Sequence, residues 1–362
     1  MYHAEAFDRT VDVIVIGFGD AGAVAALTAR EAGAEVLVVE KQAHDARRPN
    51  SQFSAGLFIS PSDPESAEHY MRQLYRVDDD LYETDPDLIR TWAQECSQNA
   101  AWLRDQGGDC YLFRDGGEHT HLEGYESIQV YKPDMIAHPN GTGHQGWGWG
   151  LFQFLTGKVI DAGVEVMYGS RAKWLLTNAR HAVVGLRVAH GGRTTNIGAR
   201  NGVILACGGF EFNEWLKLNY LRVSPTRFYG NPENTGDGIL MAQEVGAELW
   251  HMNSCAARVV GYFPESGYPG GCPMDIWGVE GFEAAKLPKE DVEGADEVTL
   301  TSADSEMTVR NHDIPAAVFV NRDGEPDRAT KRPTPVIARG WSLRDRRSRR
   351  FSRSSRPSSY KA

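Results

Sequence analysis

Long apolar runs are missing from this sequence, and cysteine is scarce. No stretch of the 362 residues is apolar over the length that a membrane-spanning helix needs. The start, Met-Tyr-His-Ala-Glu-Ala-Phe-Asp, lacks the pattern of a secretory signal peptide, so we expect a cytoplasmic protein. The cysteines form no Cys-x-x-Cys pair and are scattered at Cys96, Cys110, Cys207, Cys255 and Cys272. Their spacing disfavours a zinc site and a disulfide framework, and it predicts reduced thiols.

A basic excess is also missing, except at the end of the chain. The formal net charge is −11, whereas the segment from Gly340 to Ala362 carries eight Lys or Arg residues and one acid. The body of the chain is therefore acidic, and we expect no nucleic-acid partner for it. A metal is not expected either, because His119 and His121 have no third ligand close to them in the sequence.

Three glycines follow an unbroken apolar run near the start of the chain. Val13 to Ile16 has the character of a parallel strand that is buried on both faces. Gly17 permits a tight turn, Gly19 lets the backbone approach a diphosphate, and Gly22 lets a helix pack closely on the strand. The pattern predicts the phosphate-binding turn of a dinucleotide-binding unit.

A helix and a second strand complete this unit. The helix is predicted from about Ala21 to Ala32, with its free N–H groups and positive dipole end directed at the phosphates. Val36 to Val39 is the second strand, and Glu40 follows it where a carboxylate accepts a hydrogen bond from a ribose hydroxyl. Glycines alone also occur in ordinary strand–turn–helix corners, but the complete ordered set favours dinucleotide binding.

The middle of the chain alternates between helical and β-type patterns. Residues 64–107 are predicted to be helical, 109–144 loop-rich and 150–162 helical. Strands are predicted at 164–168, 172–177, 183–189 and 194–199, followed by a buried strand at 202–206. The pattern predicts an antiparallel meander inserted between parallel strands.

Five motifs stand in a fixed order along the chain. They are Gly17–Gly22, Glu40-Lys41, Asn50-Ser51 with Ser54-Ala-Gly56, Ala206-Cys-Gly-Gly-Phe210 and Asn234-Thr-Gly-Asp-Gly238. Together they resemble the flavoproteins related to fumarate reductase, succinate dehydrogenase flavoprotein subunits and 3-ketosteroid Δ1-dehydrogenases. A nicotinamide-dependent dehydrogenase would share the first motif but would leave the last two unexplained.

The resemblance covers about residues 10–324 and implies both fold and chemistry. The implied fold class is α/β: an FAD-binding Rossmann-like domain of glutathione-reductase type with a β-meander and an incomplete α+β cap domain. Residues 1–248 would be the FAD-binding domain, with a helical and loop insertion at about 60–148, and residues 249–325 a partial cap. The implied chemistry is hydride transfer between flavin N5 and a carbon–carbon bond next to a carbonyl or carboxylate. A small-molecule substrate and an electron donor or acceptor, either a protein or a quinone, are the implied partners.

The motifs and the resemblance together give the candidate cofactor-binding residues. These are Gly17, Gly19, Asp20, Ala21, Gly22, Glu40, Lys41, Asn50, Ser51, Ser54, Ala55, Gly56, Ala172, Ala206, Cys207, Gly208, Thr235, Gly236, Asp237 and Gly238. Some members of the family attach FAD covalently through a histidine in the loop beside the flavin ring. No histidine lies between Asp45 and Gly56, so we expect FAD to be bound noncovalently.

The sequence contains fewer signals for the substrate site than for the cofactor site. Fumarate reductases carry a histidine that holds the substrate carboxylate shortly after the Thr-Gly-Asp-Gly helix, and the matching stretch, 252–258, has none. The missing histidine argues against a dicarboxylate substrate. In the steroid-dehydrogenase-like branch of the family, tyrosines polarise a ketone and take a proton. Tyr125, Tyr131 and Tyr262 are therefore candidate catalytic residues, although tyrosine also serves often as a packing residue.

The family pattern ends near Glu325. Residues 326–362 form a basic, Arg/Ser-rich segment with too little apolar content for a packed core, so we expect a disordered tail. We interpret this as a truncation or a change of reading frame from about Glu325. A tail that binds nucleic acid or a membrane surface is the alternative, since an Arg/Ser run can neutralise phosphates. A catalytically inactive FAD-binding fragment is the alternative to an active oxidoreductase.

Overall fold

The computed structural model describes residues 2–3, 6–78, 81–134, 147–222 and 226–253, with short strand segments at 260–261, 272–273, 297–301 and 306–310. The chain divides into two compact units, one formed by Met1–Arg222 with Gly230–Met252 and the other by Val223–Tyr229 with Asn253–Ala362. Within the described residues, no helix has both the length and the apolar character needed to cross a membrane.

The strands are numbered along the chain. They are β1 (Tyr2–His3), β2 (Arg9–Ile16), β3 (Val36–Val39), β4 (Phe58–Ile59), β5 (Arg76–Asp78), β6 (Leu81–Tyr82), β7 (Cys110–Asp115), β8 (Gln129–Pro133), β9 (Glu165–Met167), β10 (Ser170–Thr177), β11 (Val183–His190), β12 (Arg193–Leu205), β13 (Val260–Gly261), β14 (Cys272–Pro273), β15 (Glu297–Thr301) and β16 (Glu306–Arg310).

The helices are numbered in the same way. They are α1 (Asp20–Glu31), α2 (Asn50–Phe53), α3 (Pro64–Tyr75), α4 (Pro86–Cys96), α5 (Asn99–Asp105), α6 (Trp147–Asp161), α7 (Glu214–Leu216) and α8 (Asp237–Glu244). Short 3-10 turns lie at His44–Ala46 and Tyr125–Ser127, and a π-helical turn at Lys217–Leu221 continues α7.

A seven-stranded mixed sheet organises the first unit, in the order β1-β10-β11-β12-β2-β3-β9. The strands β12, β2, β3 and β9 run parallel to one another, whereas β10, β11 and β12 form the antiparallel meander. The predicted parallel core and the predicted meander are therefore both confirmed. The strand β12 belongs to both, because it pairs with β11 in the meander and with β2 in the parallel core, so a single sheet contains the two parts.

The strand β12 corrects one expectation. Two strands were predicted at 194–199 and 202–206, but the structure has one strand from Arg193 to Leu205. The pairing with β2 shifts between Ala199 and Gly202, and Gly202 has a φ of +147°, so a bulge absorbs the break that the glycine suggested. The predicted burial of the last part is also wrong, because Ile204 is 38% and Leu205 40% exposed.

Apolar residues cover both faces of the central strand β2, as its unbroken apolar run predicts. Ile14 and Ile16 enter one core cluster with residues of the meander, and Val15 enters the other. The second cluster includes Leu27 of α1 and Leu155 of α6. The two helices therefore pack on the same face of the sheet and fix the position of the turn at Gly17–Gly22.

The insertion is less loop-rich than predicted. The segment 109–144 contains β7 and β8, which pair with β4 in a three-stranded antiparallel sheet of order β4-β8-β7. Tyr131 of β8 lies opposite both Phe58 and Leu112 in this sheet. Cys110 is the only described position of β7 that is buried, so the strand lacks the alternating pattern that would have revealed it.

The helices of the insertion begin where the sequence provides caps. Asp63 accepts a hydrogen bond from the Ser66 N–H at the start of α3, and Asp85 accepts one from the Asp87 N–H at the start of α4. In both cases the aspartate precedes a proline at the first helical position, where the missing N–H is not needed. The helical prediction for 64–107 is confirmed for α3, α4 and α5, while β5 and β6 interrupt it.

The second unit contains two short antiparallel pairs among its described residues. The strand β13 pairs with β14, and β15 pairs with β16, with Val298 opposite Val309. Most residues of the predicted partial cap at 249–325 and all residues of the predicted tail lie outside the described residues. The predicted domain bounds stay predictions.

Candidate functional site

A cleft of about 610 Å³ opens in the first unit, where the parallel strands β12, β2 and β3 end. Open parallel sheets bind their ligands at this edge. Segments from distant parts of the sequence meet there. The predicted cofactor residues that line the cleft are Gly17, Gly19, Asp20, Ala21, Glu40, Lys41, Asn50, Ser51, Ala172, Ala206, Cys207, Gly208, Asp237 and Gly238.

The glycine turn forms a close-packed cradle at the floor of the cleft. Gly17 has a φ of +99°, and a methyl group added there would collide with the Ala206 carbonyl. A methyl group added at Gly22 would collide with the Gly17 carbonyl. These close approaches put the N-terminal turn of α1 at the cleft wall, where its free N–H groups form a site for a diphosphate.

Glu40 is buried at the end of β3 and lines the same cleft. Its Oε2 accepts a hydrogen bond from the Phe18 N–H at 2.9 Å, and its Oε1 accepts one from the Gln42 N–H at 2.8 Å. A carboxylate has about four acceptor positions, so two remain for a ligand. The two backbone donors hold the carboxylate at the strand end, where a ribose hydroxyl would meet it.

Asn50 and Ser51 connect three walls of the cleft. The Ser51 Oγ accepts a hydrogen bond from the Asp20 N–H at 2.9 Å, which links the loop to α1. Asn50 Oδ1 accepts from the Asn231 N–H at 2.7 Å, and Asn50 Nδ2 donates to Glu211 Oε1 at 3.2 Å. Both residues begin the short helix α2, so their side chains are held by a structured turn.

Lys41 and Arg171 surround the Asp237 carboxylate on another wall. The Lys41 Nζ lies 3.2 Å from Asp237 Oδ2, and the Arg171 guanidinium lies 2.9 Å from Oδ1. Burial alone would raise the pKa of Asp237, but the two cations outweigh it and the pKa lies below its ordinary value. Asp237 is therefore ionised and firmly placed at the first turn of α8.

Cys207 and Gly208 continue the edge beyond β12. Burial raises the pKa of the Cys207 thiol to about 11, with the nearby Asp237 carboxylate acting in the same direction. The thiol is therefore neutral and unreactive at physiological pH. Gly208 has a φ of +73° and lies against the Asn234 side chain, so the chain turns there without a side chain of its own.

Six predicted cofactor residues lie outside the lining of the cleft. They are Gly22, Ser54, Ala55, Gly56, Thr235 and Gly236. The Thr235 hydroxyl instead contacts Lys41 Nζ and Asp237, at 3.2 and 3.0 Å. Gly236 has a φ of +78°, and a methyl group there would collide with Leu216. The Ser54 hydroxyl closes its own turn on the Ser51 carbonyl at 2.8 Å.

The two candidate catalytic tyrosines that the structure describes, Tyr125 and Tyr131, do not line this cleft. Tyr125 packs beside an apolar cluster of the insertion that includes Tyr70. Tyr131 stacks on Phe58, with 5.9 Å between the ring centroids, and its hydroxyl donates to Gln129 Oε1 at 3.1 Å. Tyr262 lies outside the described residues. A catalytic role for any of them stays a prediction.

The structure adds polar residues that the predicted set lacks: Gln42, Ser170, Glu211, Asn231 and Asn234. Gly209 also lines the cleft. It and Asn234 belong to two of the five motifs, so the motif spacing did contain their signal. Asn231 precedes a proline in a turn-forming sequence and accepts from the Glu233 N–H at 3.0 Å. Glu211 had no local signal, because its described partner, Asn50, comes from a distant segment.

The donor set fits a dinucleotide. A glycine cradle that methyl groups would fill, a helix N-terminus and a buried acid at the next strand end are its recurring elements. Among the described residues, no group of three or more His, Cys, Asp or Glu side chains is arranged to hold a metal ion.

Comparison with known proteins agrees with this geometry. The family model described as FAD binding domain matches residues 12–280. The probable fumarate reductase Ifc3 of Shewanella frigidimarina is 29% identical over 252 residues, which are 67% of this chain and 40% of that protein. The 3-oxosteroid 1-dehydrogenase of Mycobacterium tuberculosis is 28% identical over 309 residues, covering 66% of this chain and 54% of that protein.

Solved structures show the same fold. The 3-ketosteroid Δ1-dehydrogenase of Sterolibacterium denitrificans matches with a TM-score of 0.64 and 20% identity, covering 73% of this chain and 59% of that one. A flavocytochrome c3 fumarate reductase matches with a TM-score of 0.54 and 27% identity, covering 67% of this chain and 42% of that one. The predicted α/β fold with an FAD-binding Rossmann-like domain is thereby confirmed.

These relatives are longer than this chain, which spans about half the length of the curated relatives it matches. The match to the family model covers the glycine turn, Glu40, the Asn50-Ser51 loop and the segment around Asp237. The nicotinamide alternative is set aside, because the family model that matches residues 12–280 is an FAD binding domain. The chain therefore belongs to the FAD binding domain family, with relatives among the fumarate reductases and the 3-oxosteroid dehydrogenases, and its cofactor is FAD.

Proposed function

We propose that this chain holds FAD for an oxidoreductase that transfers a hydride to or from a carbon–carbon bond beside a carbonyl or carboxylate. The observation that carries the proposal is the convergence of Gly17–Gly22, Glu40, Asn50-Ser51, Ala206–Gly208 and Asp237-Gly238 on one cleft. Relatives named as fumarate reductase and 3-oxosteroid 1-dehydrogenase support the reaction class. Their names differ in substrate and in direction, so the shared element is the carbon–carbon bond.

The residues of the cleft bind and orient, while bound FAD supplies the hydride chemistry at flavin N5. The N-terminus of α1 receives the diphosphate, and Glu40 keeps acceptor positions for a ribose hydroxyl. Asn50 and Ser51 tie the loop beside the cofactor to α1 and to the segments at Glu211 and Asn231. Binding is noncovalent, because the loop from Asp45 to Gly56 contains no histidine that could bond to the flavin.

The substrate is a small molecule with a polarised double or single carbon–carbon bond. A ketone of the steroid type is favoured over a dicarboxylate, because residues 252–258 lack the histidine that holds a carboxylate in the reductases. A second partner, either an electron-transfer protein or a quinone, would supply electrons to the flavin or accept electrons from it, depending on the direction of the reaction. Tyr125, Tyr131 and Tyr262 stay candidates for the proton partner.

A visible spectrum of the purified chain tests the cofactor part of the proposal. We expect flavin absorption bands that move into the supernatant after acid precipitation, because the bond to the protein is noncovalent. Bands that stay in the pellet would contradict noncovalent binding. A colourless protein that does not bind added FAD would contradict the proposal as a whole.

Turnover tests the reaction part. The FAD-loaded chain is mixed anaerobically with a 3-oxosteroid and an artificial electron acceptor, and separately with fumarate and reduced methyl viologen. We expect turnover with the steroid to exceed turnover with fumarate. FAD binding without turnover of any activated carbon–carbon bond would favour the alternative, a catalytically inactive FAD-binding fragment. The Gly17→Ala variant serves as the control for activity that does not depend on bound FAD.

A further inference from the structure

Asp20 is an unusual group in the wall of the cleft. It is the first residue of α1 and belongs to the turn between Gly19 and Gly22. Its backbone N–H donates to the Ser51 hydroxyl at 2.9 Å. Its side-chain oxygen Oδ1 is shielded from solvent and has no hydrogen-bond partner among the described residues. A buried acceptor without a partner is costly, so the group is arranged for a ligand or for a proton.

The cations of the cleft do not neutralise Asp20. Lys41 and Arg171 are both engaged with Asp237. The Arg47 guanidinium lies 4.1 Å from the centroid of the Phe18 ring and donates to the Phe18 carbonyl and to Thr156. Each of these three cations thus has another contact, and no described cation forms an ion pair with Asp20.

The other titratable groups that line the cleft do not neutralise Asp20 either, because they are all acids. They are Glu40, Cys207, Glu211 and Asp237, from the strand ends and loops of the cleft. The Glu40 carboxylate faces the Phe18 and Gln42 N–H groups, and the Glu211 carboxylate faces Asn50. Burial is the main cause that raises the pKa of Asp20, to about 7, and a hydrogen bond with the Ser51 side chain acts in the opposite direction.

The position of this acid conflicts with the ligand that the turn receives. The glycine turn and the N-terminus of α1 take the diphosphate of the dinucleotide, which is an anion. An ionised Asp20 would place a further negative charge in the same desolvated turn, where charges interact strongly. A protonated carboxyl instead offers an O–H donor to a phosphate oxygen. The geometry therefore favours the neutral acid in the complex.

We propose that Asp20 contacts the FAD diphosphate as a protonated carboxyl and donates a hydrogen bond to it, so that FAD binding takes up one proton from solvent. This inference rests on the assignment of FAD to the cleft. The role differs from that of Glu40, whose carboxylate oxygens accept hydrogen bonds and keep acceptor positions for the ligand.

The proposal predicts a specific pH dependence of affinity. At pH values above the pKa of Asp20 in the free protein, the dissociation constant for FAD should rise by up to ~10-fold per pH unit, because one proton must be bound first. Below that pKa, the dissociation constant should be constant. In Asp20→Asn the side chain is neutral at every pH and keeps an N–H donor. We expect its dissociation constant to stay near the low-pH value of the wild type.

The test uses the full chain, stripped of flavin and titrated with FAD between pH 6 and pH 9 by quenching of flavin fluorescence. Calorimetric titration at pH 8 in two buffers of different ionisation enthalpy counts the protons. We expect about one proton per FAD for the wild type and about none for Asp20→Asn. Asp45→Asn is the matched control, since Asp45 is exposed, and it should keep the wild-type proton count.

Two results would overturn the proposal. One is FAD binding by the wild type without proton uptake, and the other is the same proton uptake in Asp20→Asn as in the wild type. Both leave the assignment of FAD intact, because binding is observed. Absence of FAD binding at every pH would overturn the cofactor assignment and this proposal together. If the variant does not fold, the wild-type titration still tests the first result, because FAD binding without proton uptake would overturn the proposal.

Discussion

The Lys41 ammonium lies 3.2 Å from the Asp237 carboxylate and so ties the end of β3 to the start of α8. The same nitrogen also contacts the Glu233 carbonyl and the Thr235 hydroxyl. Lys41 and Asp237 are only about one fifth exposed, with side-chain accessibilities of 21% and 17%. The Lys41 ammonium thus fixes the whole turn that precedes α8. Lys41 directly follows Glu40, the residue predicted to contact a ribose hydroxyl.

Replacing Lys41 with Met should loosen this turn. The variant leaves the Asp237 carboxylate with Arg171 alone, and we expect the free energy of unfolding to fall by about 1–3 kcal/mol. The dissociation constant for FAD should rise roughly tenfold, equivalent to about 1.4 kcal/mol. Urea unfolding and FAD fluorescence measure the two effects. Lys173→Met is the control, because Lys173 is an exposed lysine of β10; equal losses in both variants would contradict the role of Lys41.

Gly17 and Gly33 provide a matched pair for the glycine turn. Both have positive φ, +99° and +86°, but a methyl group at Gly17 would collide with the Ala206 carbonyl, whereas Gly33 has nothing within 4 Å. Gly33→Ala should therefore lose about 1–3 kcal/mol of stability, because it introduces backbone strain and no steric collision. Gly17→Ala should lose more stability and should no longer bind FAD. Retention of wild-type FAD affinity by Gly17→Ala would show that the close approach to Ala206 is not required.

Arg47 should anchor the loop before Asn50 through its planar group. The guanidinium carbon lies 4.1 Å from the Phe18 ring centroid and 4.5 Å from that of Phe152. Arg47→Met removes these two cation–π contacts, a longer one to Tyr168 and the hydrogen bonds, so we expect a loss of about 1–3 kcal/mol. Arg47→Lys should recover only part of it, because an ammonium does not stack. Chemical unfolding measures both; Arg48→Met, at an exposed neighbour, should have little effect.

Asp20 should also make the stability of the FAD-free protein depend on pH. Its pKa rises from an ordinary value of 3.8 to about 7 on folding, so the folded state binds the proton more tightly than the unfolded state. The contribution is present below about pH 4 and is lost as the pH rises towards 7. We expect the stability of Asp20→Asn to exceed that of the wild type by a margin that grows by roughly 2–4 kcal/mol between pH 4.5 and pH 8.

Urea unfolding at several pH values checks this expectation. A constant difference between Asp20→Asn and the wild type would mean that Asp20 does not titrate in this range.

Local spacing predicted the elements that depend on neighbours in sequence. Gly17, Gly19, Gly22 and Glu40 all lie within one strand–turn–helix–strand unit, and the structure places each at the end of β2 or β3 or beside it. The predicted start of α1 differs by a single residue, because Asp20 already joins the helix. Backbone geometry of this kind follows from short-range sterics, so a sequence pattern is enough to predict it.

Long-range partners were not predictable in the same way. Glu211 meets Asn50 across 161 positions, and Asn231 meets Asn50 across 181 positions. The motif around Asn50 indicated a loop near the cofactor, but no periodicity indicates which side chains it bonds. The strand β7 was missed for a related reason, since its exposed positions carry no alternating pattern.

The contact between Asn50 and Glu211 allows one of these long-range links to be measured. Asn50 Nδ2 donates to Glu211 Oε1 at 3.2 Å, while Glu211 Oε2 is buried and has no partner among the described residues. Asn50→Asp replaces the donor by a second carboxylate, so we expect a loss of about 1–3 kcal/mol in unfolding free energy. Glu211→Gln alone should change little, because its remaining oxygen still accepts from Asn50.

The double variant decides whether the two side chains act on each other. In Asn50→Asp combined with Glu211→Gln, the new amide can donate to the new carboxylate, so the direction of the hydrogen bond is reversed and the like charges are gone. We expect it to recover most of the loss of Asn50→Asp, with a coupling energy of about 0.5–3 kcal/mol in a double-mutant cycle. FAD affinity should recover in parallel, because the Asn50-Ser51 loop would again be held against the segment that follows Gly209. Additive losses would mean that Asn50 acts through Asn231 instead, since its Oδ1 accepts from that N–H at 2.7 Å.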